Sequence, residues 1–565
     1  MQTHTTEDDL SWTQTEATAE YLSSGDTDED GLEKAIWYTA DHLLSRPDRV
    51  VVPGFYFGPK IFNLIFTGVS GTCHTRLQWT NRDHIKLLCE FVHRIFKPSP
   101  EMVDPNIVRV LAPHTVQRSG RDFFDVTLKT KTYFGCEIMS LGNPMGRRTT
   151  IFETDDPKVP VIKEQYLVTP SVEFEILEVV SKIPGVVRLE DYDEYRPNSE
   201  GKMVVGCTIG EESRYKVRLA LRDKGEPIME SKTVEQFLIR LYDMLEVAEC
   251  LYVLGYLHRD YSLHNVLFRE PKVGEEPEYR KEWEESNFCS AKYLLGKGEN
   301  RFETEVLVID FELATKHETQ EKLESAGTPM YQARAAAKVA PLKVRALTTG
   351  MPGVAPGLLE RYSKALPERG KKFIVDGTFH IFDPREGDTE EWYHELRHDV
   401  ESAFWMLLHW AVIFQPAGGK QLPIPKTFFD SLTDEDWRGS LVFGVQYRSD
   451  HWVHPDIKGV QSLIKKMAEH LEGELQWLDP NDQHYEQMKK ASYLREVFQR
   501  LILNFLFEHQ GKDFMRKERH KSNRPKQVRP DRQVCLRAKE IKLRQLMGPS
   551  SLRRRCDEEE RRGVA

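Results

Sequence analysis

The stretch that most constrains this chain is Leu257-His258-Arg259-Asp260-Tyr261-Ser262-Leu263-His264-Asn265-Val266-Leu267-Phe268, read with Val306-Leu307-Val308-Ile309-Asp310-Phe311-Glu312 further along. A loop with His-Arg-Asp, an Asn five residues past that Asp, a short apolar strand and a second apolar strand ending in Asp-Phe is the arrangement phosphoryl transfer uses. That chemistry needs a hydroxyl held in line and hard oxygen ligands for Mg²⁺ converging from separate segments. Asp260 is the candidate base, and Asn265 and Asp310 are the candidate metal ligands. Either stretch alone also reads as turn residues and a strand end. The two in this order point to a kinase.

At 565 residues the chain is too long for one compact core. Apolar residues make up 39% and charged residues 30%, with a formal charge of -10, so nothing global points to nucleic acid. The balance hides an acidic start and a basic end, where residues 516–565 hold 17 Lys and Arg against 7 Asp and Glu. That tail reads first as a solvated segment and second as a nuclear signal or a contact for nucleic acid, though no aromatic residues interleave its charges to stack on bases. Eight cysteines without a Cys-x-x-Cys pair read as reduced thiols of an intracellular protein, cytoplasmic or nuclear. The first residues have neither the basic start nor the apolar run of a signal peptide. Ala403 to Phe414 is too short to span a bilayer and contains His409, so a buried helix is expected there and no membrane partner.

In chain order, residues 1–46 are acidic and largely disordered, with an amphipathic helix possible around Leu32 to Leu44. Residues 47–140 form a β-rich extension, with runs such as Ile61 to Phe66 punctuated by glycines and a helix over His84 to Phe96. Residues 141–221 follow as a second β-rich segment. Its loop Gly142-Asn143-Pro144-Met145-Gly146-Arg147-Arg148 only partly matches a phosphate-covering glycine loop, since Arg148 stands where a glycine is expected. Val159-Pro160-Val161-Ile162-Lys163 reads as a short strand whose start or unpaired edge takes Pro160. Glu173 to Leu177 fits a helix, Arg218 to Leu221 a strand, and Gly225 a hinge.

Residues 222–515 make the remaining body. Apolar positions from Val234 to Tyr252 recur at helical spacing and stop at Gly255. Two charged stretches, 270–305 and 334–391, read as surface insertions. Between them, Gly327-Thr328-Pro329-Met330-Tyr331 follows a segment with Thr315, Thr319 and Ser325. The motif His394-Glu395-Leu396-Arg397-His398 admits two readings. As His-Glu-x-x-His on a helix it would bind zinc, though no third ligand stands nearby. Alternatively Asp399 begins a buried helix and bonds back to the catalytic loop.

His258-Arg259-Asp260 with Ser262, Asp310-Phe311-Glu312, Gly327-Thr328 and His398-Asp399-Val400-Glu401-Ser402 with Phe404-Trp405 resemble the fungal-type protein kinase family. The resemblance runs from about Val50 to Phe414 and on through Phe514. It implies a two-lobed α+β protein kinase-like fold, with a β-rich N-terminal extension, a small lobe over 141–221 and a large lobe over 222–515. It implies transfer of the γ-phosphoryl of ATP, with Mg²⁺, to Ser/Thr hydroxyls of a protein substrate. Carried over residue by residue, Lys163 and Glu173 form an ion pair and Asp260 is the base. Asn265 and Asp310 hold metal, Gly146, Lys163, Leu219 and Leu221 serve the nucleotide, Thr328 bonds near Asp260, and Asp399 braces the loop. Arg259 would receive a phosphate on Thr315, Thr319 or Ser325. Glu312 in place of the Gly of Asp-Phe-Gly, Arg148, Pro160 and Ala335, in place of the Glu of Ala-Pro-Glu, depart from the pattern. Two rivals follow: a pseudokinase acting as a binding module, and a small-molecule kinase of the choline or aminoglycoside type.

Overall fold

The computed structural model describes residues 15–22, 27–110, 123–169, 171–195, 214–269, 287–317, 326–340, 342, 346–373, 378–381, 392–423, 428, 432, 434–448, 452–473, 475, 481–482 and 484–520. The chain is mixed α+β and divides into two compact units. One holds the described residues up to 171 with 189–223, the other 172–188 with those from 224 onward. Among the described residues no helix is long and apolar enough to cross a membrane. Thr319, Ser325, the first fourteen residues and the tail beyond 520 lie outside the described residues.

Among the described residues the first unit holds two sheets. Strands β1 (Thr18–Tyr21), β2 (Val51–Phe57), β3 (Ile61–Gly68) and β4 (Gly71–Gln78) lie side by side in that order, with β1 parallel to β2. Helix α1 (Asp28–Ser45) starts at a capping box in which Thr27 and Asp30 satisfy each other's backbone N–H, and Asp28, Glu29 and Asp30 lie in its first turn. Helix α2 (Arg82–Phe96) turns Phe91 and Ile95 onto Phe55, Phe62 and Leu64. The second sheet comprises β5 (Ile107–Val110), β6 (Phe123–Leu128), β7 (Lys131–Leu141), β8 (Thr150–Glu153), β9 (Val161–Leu167), β10 (Leu189–Tyr195) and β11 (Tyr215–Leu221). It is antiparallel throughout, in the order β10-β11-β9-β8-β7-β6-β5.

Side chains alternate across this sheet. One face buries Phe124, Phe152, Ile162 and Ala220 together. The same face of β9 and β11 carries a fully buried charge cluster: Arg218 donates Nε to Glu164 at 2.6 Å, and Asp104 and Glu164 both pair with Lys216. Arg218 also reaches Asp104, the Thr127 carbonyl and the Tyr195 hydroxyl. Burial opposes the charges of Asp104, Lys216 and Arg218, and their oppositely charged partners restore them. Lys216 and Arg218 hold the Asp104 carboxyl below its ordinary range against that burial. Pro160 stands before β9 rather than in it, and its carbonyl accepts the Thr154 N–H at 3.1 Å. The ladder therefore loses no donor to it.

The second unit is built on helices. Helix α3 (Glu173–Val180) precedes the long α4 (Val234–Val253), which Thr233 caps and which ends at Gly255 with φ +90. The Leu396–Ile413 helix is buried almost all round, as its apolar sequence from Ala403 requires, and Trp410 stacks on Phe237 of α4 at 4.5 Å. Short strands β12 (Glu226–Pro227), β13 (Tyr256–Leu257), β14 (Val266–Phe268), β15 (Val306–Val308) and β16 (Thr315–Lys316) frame the loop at 258–265. Strand β14 pairs with β12 and β15, and β13 with β16. Gly225, read as a hinge, lies against Phe268: a Cβ there would meet the Phe268 carbonyl at 2.7 Å.

Where they are described, the two insertions keep the exposed charges expected of a surface stretch but also send side chains into the core. In the first, Phe288, Cys289, Ser290, Ala291 and Leu294 are buried, and the Ala291 N–H goes to Asp243 of α4 at 2.8 Å. In the second, Leu358, Tyr362, Leu366 and Phe373 are buried and Arg369 donates to Glu246 of α4 at 2.9 Å. Arg500 returns hydrogen bonds to the Pro352 and Phe373 carbonyls. Charge in these stretches was the signal for exposure; each buried charge instead meets a partner far away in sequence.

Arg218→Met should leave Glu164 and Asp104 short of a buried counter-charge and lower the unfolding free energy by about 3–5 kcal/mol, measured by urea denaturation. Arg218→Met with Glu164→Leu should recover part of that loss.

Candidate active site

The loop after β13 is fixed from below by one carboxylate. Asp399, in the first turn of the Leu396–Ile413 helix, accepts the His258 N–H on Oδ2 at 2.9 Å and the Arg259 N–H on Oδ1 at 3.0 Å. This is the bond back to the loop expected of Asp399. Arg259 thereby sits at φ 66, a left-handed conformation that costs free energy and persists only where neighbours enforce it. His258 is the second tie: Nδ1 accepts the Asp260 N–H at 3.3 Å and Nε2 donates to the Ile309 carbonyl at 3.1 Å, which selects the Nε2–H tautomer. Its ring stacks on Tyr261 and meets the edge of the buried Phe311.

Asp260 is held on both oxygens. Oδ1 accepts the Thr328 N–H at 2.6 Å and the Thr328 hydroxyl at 2.8 Å, and Oδ2 accepts Asn265 Nδ2 at 2.7 Å. Asn265 Nδ2 also donates to the Asp260 carbonyl, which leaves Oδ1 as the Asn265 atom able to meet a cation. Thr328 can come this close because Gly327, at φ +105, precedes it: a Cβ there would meet the Arg259 carbonyl at 2.6 Å. The turn 262–265 is closed by Ser262 Oγ, which accepts the His264 and Asn265 N–H groups.

Asp310 follows β15 at φ 67, the second left-handed residue of the site. Val266 pairs with Val308, and the Ile309 N–H goes to the Asn265 carbonyl at 3.0 Å. This register sets the end of one strand beside the start of the other. Burial raises the Asp260 carboxyl above the ordinary carboxylate range, the Thr328 hydrogen bonds oppose this, and the negative charge of Asp310 adds to the rise. Two carboxylates that repel, with an amide oxygen beside them, suit a hard divalent cation. Glu173, at the start of α3, accepts the Phe311 N–H at 3.1 Å and so fixes the residue after Asp310.

The second unit therefore brings Asp260, Asn265 and Thr328 into direct contact, with Asp310 near enough to act on the Asp260 charge and Glu173 bonded to the residue after Asp310. Gly146, Lys163, Leu219 and Leu221 belong to the first unit. Lys163 pairs in register with Leu219, and Leu221 with Val161, so the three side chains share the sheet face opposite Ile162 and Ala220. Gly146, at φ +85 in the turn between β7 and β8, donates its N–H to the Val69 carbonyl at 2.7 Å. Arg148, buried in the same turn, gives its guanidinium to the carbonyls of Leu43 and Arg46 at the end of α1 and of Arg49. It is a helix-end clasp, which a lone Arg in a glycine-poor loop does not advertise.

The zinc reading of His394 and His398 does not hold. Glu395 is the N-cap, with φ -124 and ψ 165, so His394 lies before the helix, and its ring meets that of His398 edge-on at 5.2 Å rather than from one helical turn away. His394 Nε2 bonds Asp399 Oδ1 at 2.8 Å, and His398 Nδ1 accepts the Glu395 N–H at 2.9 Å. Among the described residues no cluster of His, Cys, Asp and Glu could hold a metal by itself.

Asp399→Ala should strand two buried backbone donors and cost about 2–5 kcal/mol of stability. Asp399→Asn, which keeps one acceptor oxygen, should cost less, with thermal unfolding as the measurement.

No curated protein matches the chain. A family model described as fungal protein kinase matches residues 195–412, the stretch that holds Asp260, Asn265, Asp310, Thr328 and Asp399. It ends before the close of the Leu396–Ile413 helix and begins after Gly146, Lys163 and Glu173. Over residues 195–412 the chain is similar to the fungal protein kinase family, and that likeness supports a kinase-type transferase.

Proposed function

We propose that this chain is a protein kinase with a two-lobed kinase-like fold that transfers the γ-phosphoryl of Mg·ATP to Ser or Thr hydroxyls of protein substrates. The observation that carries it is the clamp on Asp260 by Thr328 and Asn265, with Asp310 close enough to perturb it. A carboxylate oriented on both oxygens presents its remaining lone pairs in one direction, which is what an acceptor hydroxyl in line with a phosphoryl group requires. Burial makes it a stronger proton acceptor than a solvated Asp, and the hydroxyl proton passes to it as the new P–O bond forms.

Asn265 Oδ1 and the Asp310 carboxylate are the ligands proposed for Mg²⁺. Bound there, the ion would neutralise charge developing on the transferred phosphoryl group. Thr328, fixed to Asp260, is proposed to support the acceptor segment, which favours a protein substrate over choline or an aminoglycoside. Lys163 is the proposed phosphate contact, with Gly146, Leu219 and Leu221 on the nucleotide side.

A second reading, a binding module that has lost turnover, draws on the turn at 142–149, where the Gly146 N–H and the Arg148 guanidinium are already committed to protein carbonyls. The two readings separate in one experiment. With Mg·[γ-³²P]ATP and a generic protein acceptor, the parent should transfer label while Asp260→Asn and Asp310→Asn lose it by about two to four orders of magnitude. A parent that is stabilised by Mg·ATP in a thermal shift yet transfers nothing is a binding module.

The rate should fall as pH drops through the Asp260 pKa, since only the ionised carboxylate accepts the proton. The Thr328 hydroxyl lowers that pKa, so Thr328→Val should move the acid limb to higher pH, whereas Thr328→Ser leaves it in place. A pH–rate profile of kcat/KM for the three proteins checks this.

A further inference from the structure

The His394 side chain has no part in the phosphotransfer set, and its buried bond to Asp399 is a third donor on a carboxylate that already serves two backbone amides. Asp399 Oδ1 is shared by the Arg259 N–H at 3.0 Å and His394 Nε2 at 2.8 Å, while Oδ2 takes the His258 N–H at 2.9 Å. Both oxygens therefore act as acceptors, and His394 donates from Nε2. Without that donor the Asp399 side chain is fixed only through the loop it is meant to fix. With it, the carboxylate plane is set from outside the loop.

His394 is itself held from the other side of the site. The Trp392 ring stands edge-on to it, at 6.0 Å and 90°, and Trp392 packs in a buried cluster with Ala333, Ala335 and Ala336. Those alanines follow Thr328, which bonds Asp260. Arg334, among them, gives both its backbone N–H and Nε to Glu401, two residues past Asp399. The loop carrying Asp260 and the segment carrying Thr328 thus both register on residues 392–401, the end of the second insertion and the first turns of the helix.

We propose that His394 is a positioning residue for the Asp260 loop, which sets the Asp399 carboxylate and, through it, the backbone at His258 and Arg259. The proposal rests on the phosphotransfer reading of Asp260 for its effect on turnover, but its effect on the loop can be read without turnover. Gln at 394 can place an amide Nε2 where the imidazole Nε2 lies, Asn is one bond too short, and Leu has no donor.

The test compares kcat, KM for ATP and hydrogen exchange at residues 258–260 in the full chain for His394→Gln, His394→Asn and His394→Leu. Leu and Asn should lower kcat about ten- to hundredfold at unchanged KM for ATP, with faster exchange at 258–260, and Gln should recover most of both. If Leu fails to fold, the Gln and Asn pair decides alone. Unchanged exchange at 258–260 in Asn and Leu, or equal kcat for Gln and Asn, overturns the proposal. Faster exchange in the Asn and Leu variants, together with a parent that shows no turnover, overturns the kinase reading instead and leaves the positioning of the loop standing.

Discussion

The structure of the second unit depends on where the Asp399 carboxylate puts its two oxygens. A backbone N–H buried without an acceptor costs more than a made hydrogen bond returns, so the loop at 258–260 can hold its strained course only where an acceptor waits for each amide. Asp399 supplies two such acceptors from a helix that is itself locked by burial on nearly every side. The left-handed turn at Arg259 then aims Asp260 toward Thr328 and Asn265. Rigidity passes from an apolar helix to a polar loop through one side chain.

That dependence explains why the parts of the site that could be read from the sequence were short and local. His258 to Asn265 is one turn between two strands, and its geometry follows from residue types a few positions apart. The apolar runs at Val266 to Phe268 and Val306 to Val308 pair in a register their lengths nearly dictate. Gly327 is demanded by a positive φ and by the Arg259 carbonyl facing it, so a glycine before Thr328 was a legible sign. Asp399, at the head of an apolar helix, stood out for the same reason: a carboxylate in so apolar a setting needs a partner.

What stayed hidden is long-range pairing of charge. Arg369 in a Lys- and Arg-rich stretch looks solvated until Glu246 of α4 is set against it, and Arg148 looks like a damaged phosphate loop until the end of α1 is set beneath it. Periodicity carries no information on which carboxylate meets which guanidinium a hundred residues away. His394 was misleading in the opposite sense: spacing to His398 suggested a metal pair on a helix, but the helix begins after His394. A motif defined by spacing presumes one conformation along its length, and a cap in its middle voids that presumption.

The burial of both insertions changes how the second unit should be understood. Glu246 of α4 receives Arg369 from one insertion and the Cys289 N–H from the other, while Asp243 one turn earlier receives the Ala291 N–H and the Thr304 hydroxyl. Burial carries the Asp243 carboxyl up to about 7, and its two donors oppose the rise. Since α4 ends two residues before the strand that opens the loop carrying Asp260, these segments brace the helix from which that loop departs. Without these stretches Asp243 would lose both of its donors, and Glu246 would lose Arg369 and the Cys289 N–H. Both stretches are part of the fold because α4 carries the acids that receive them.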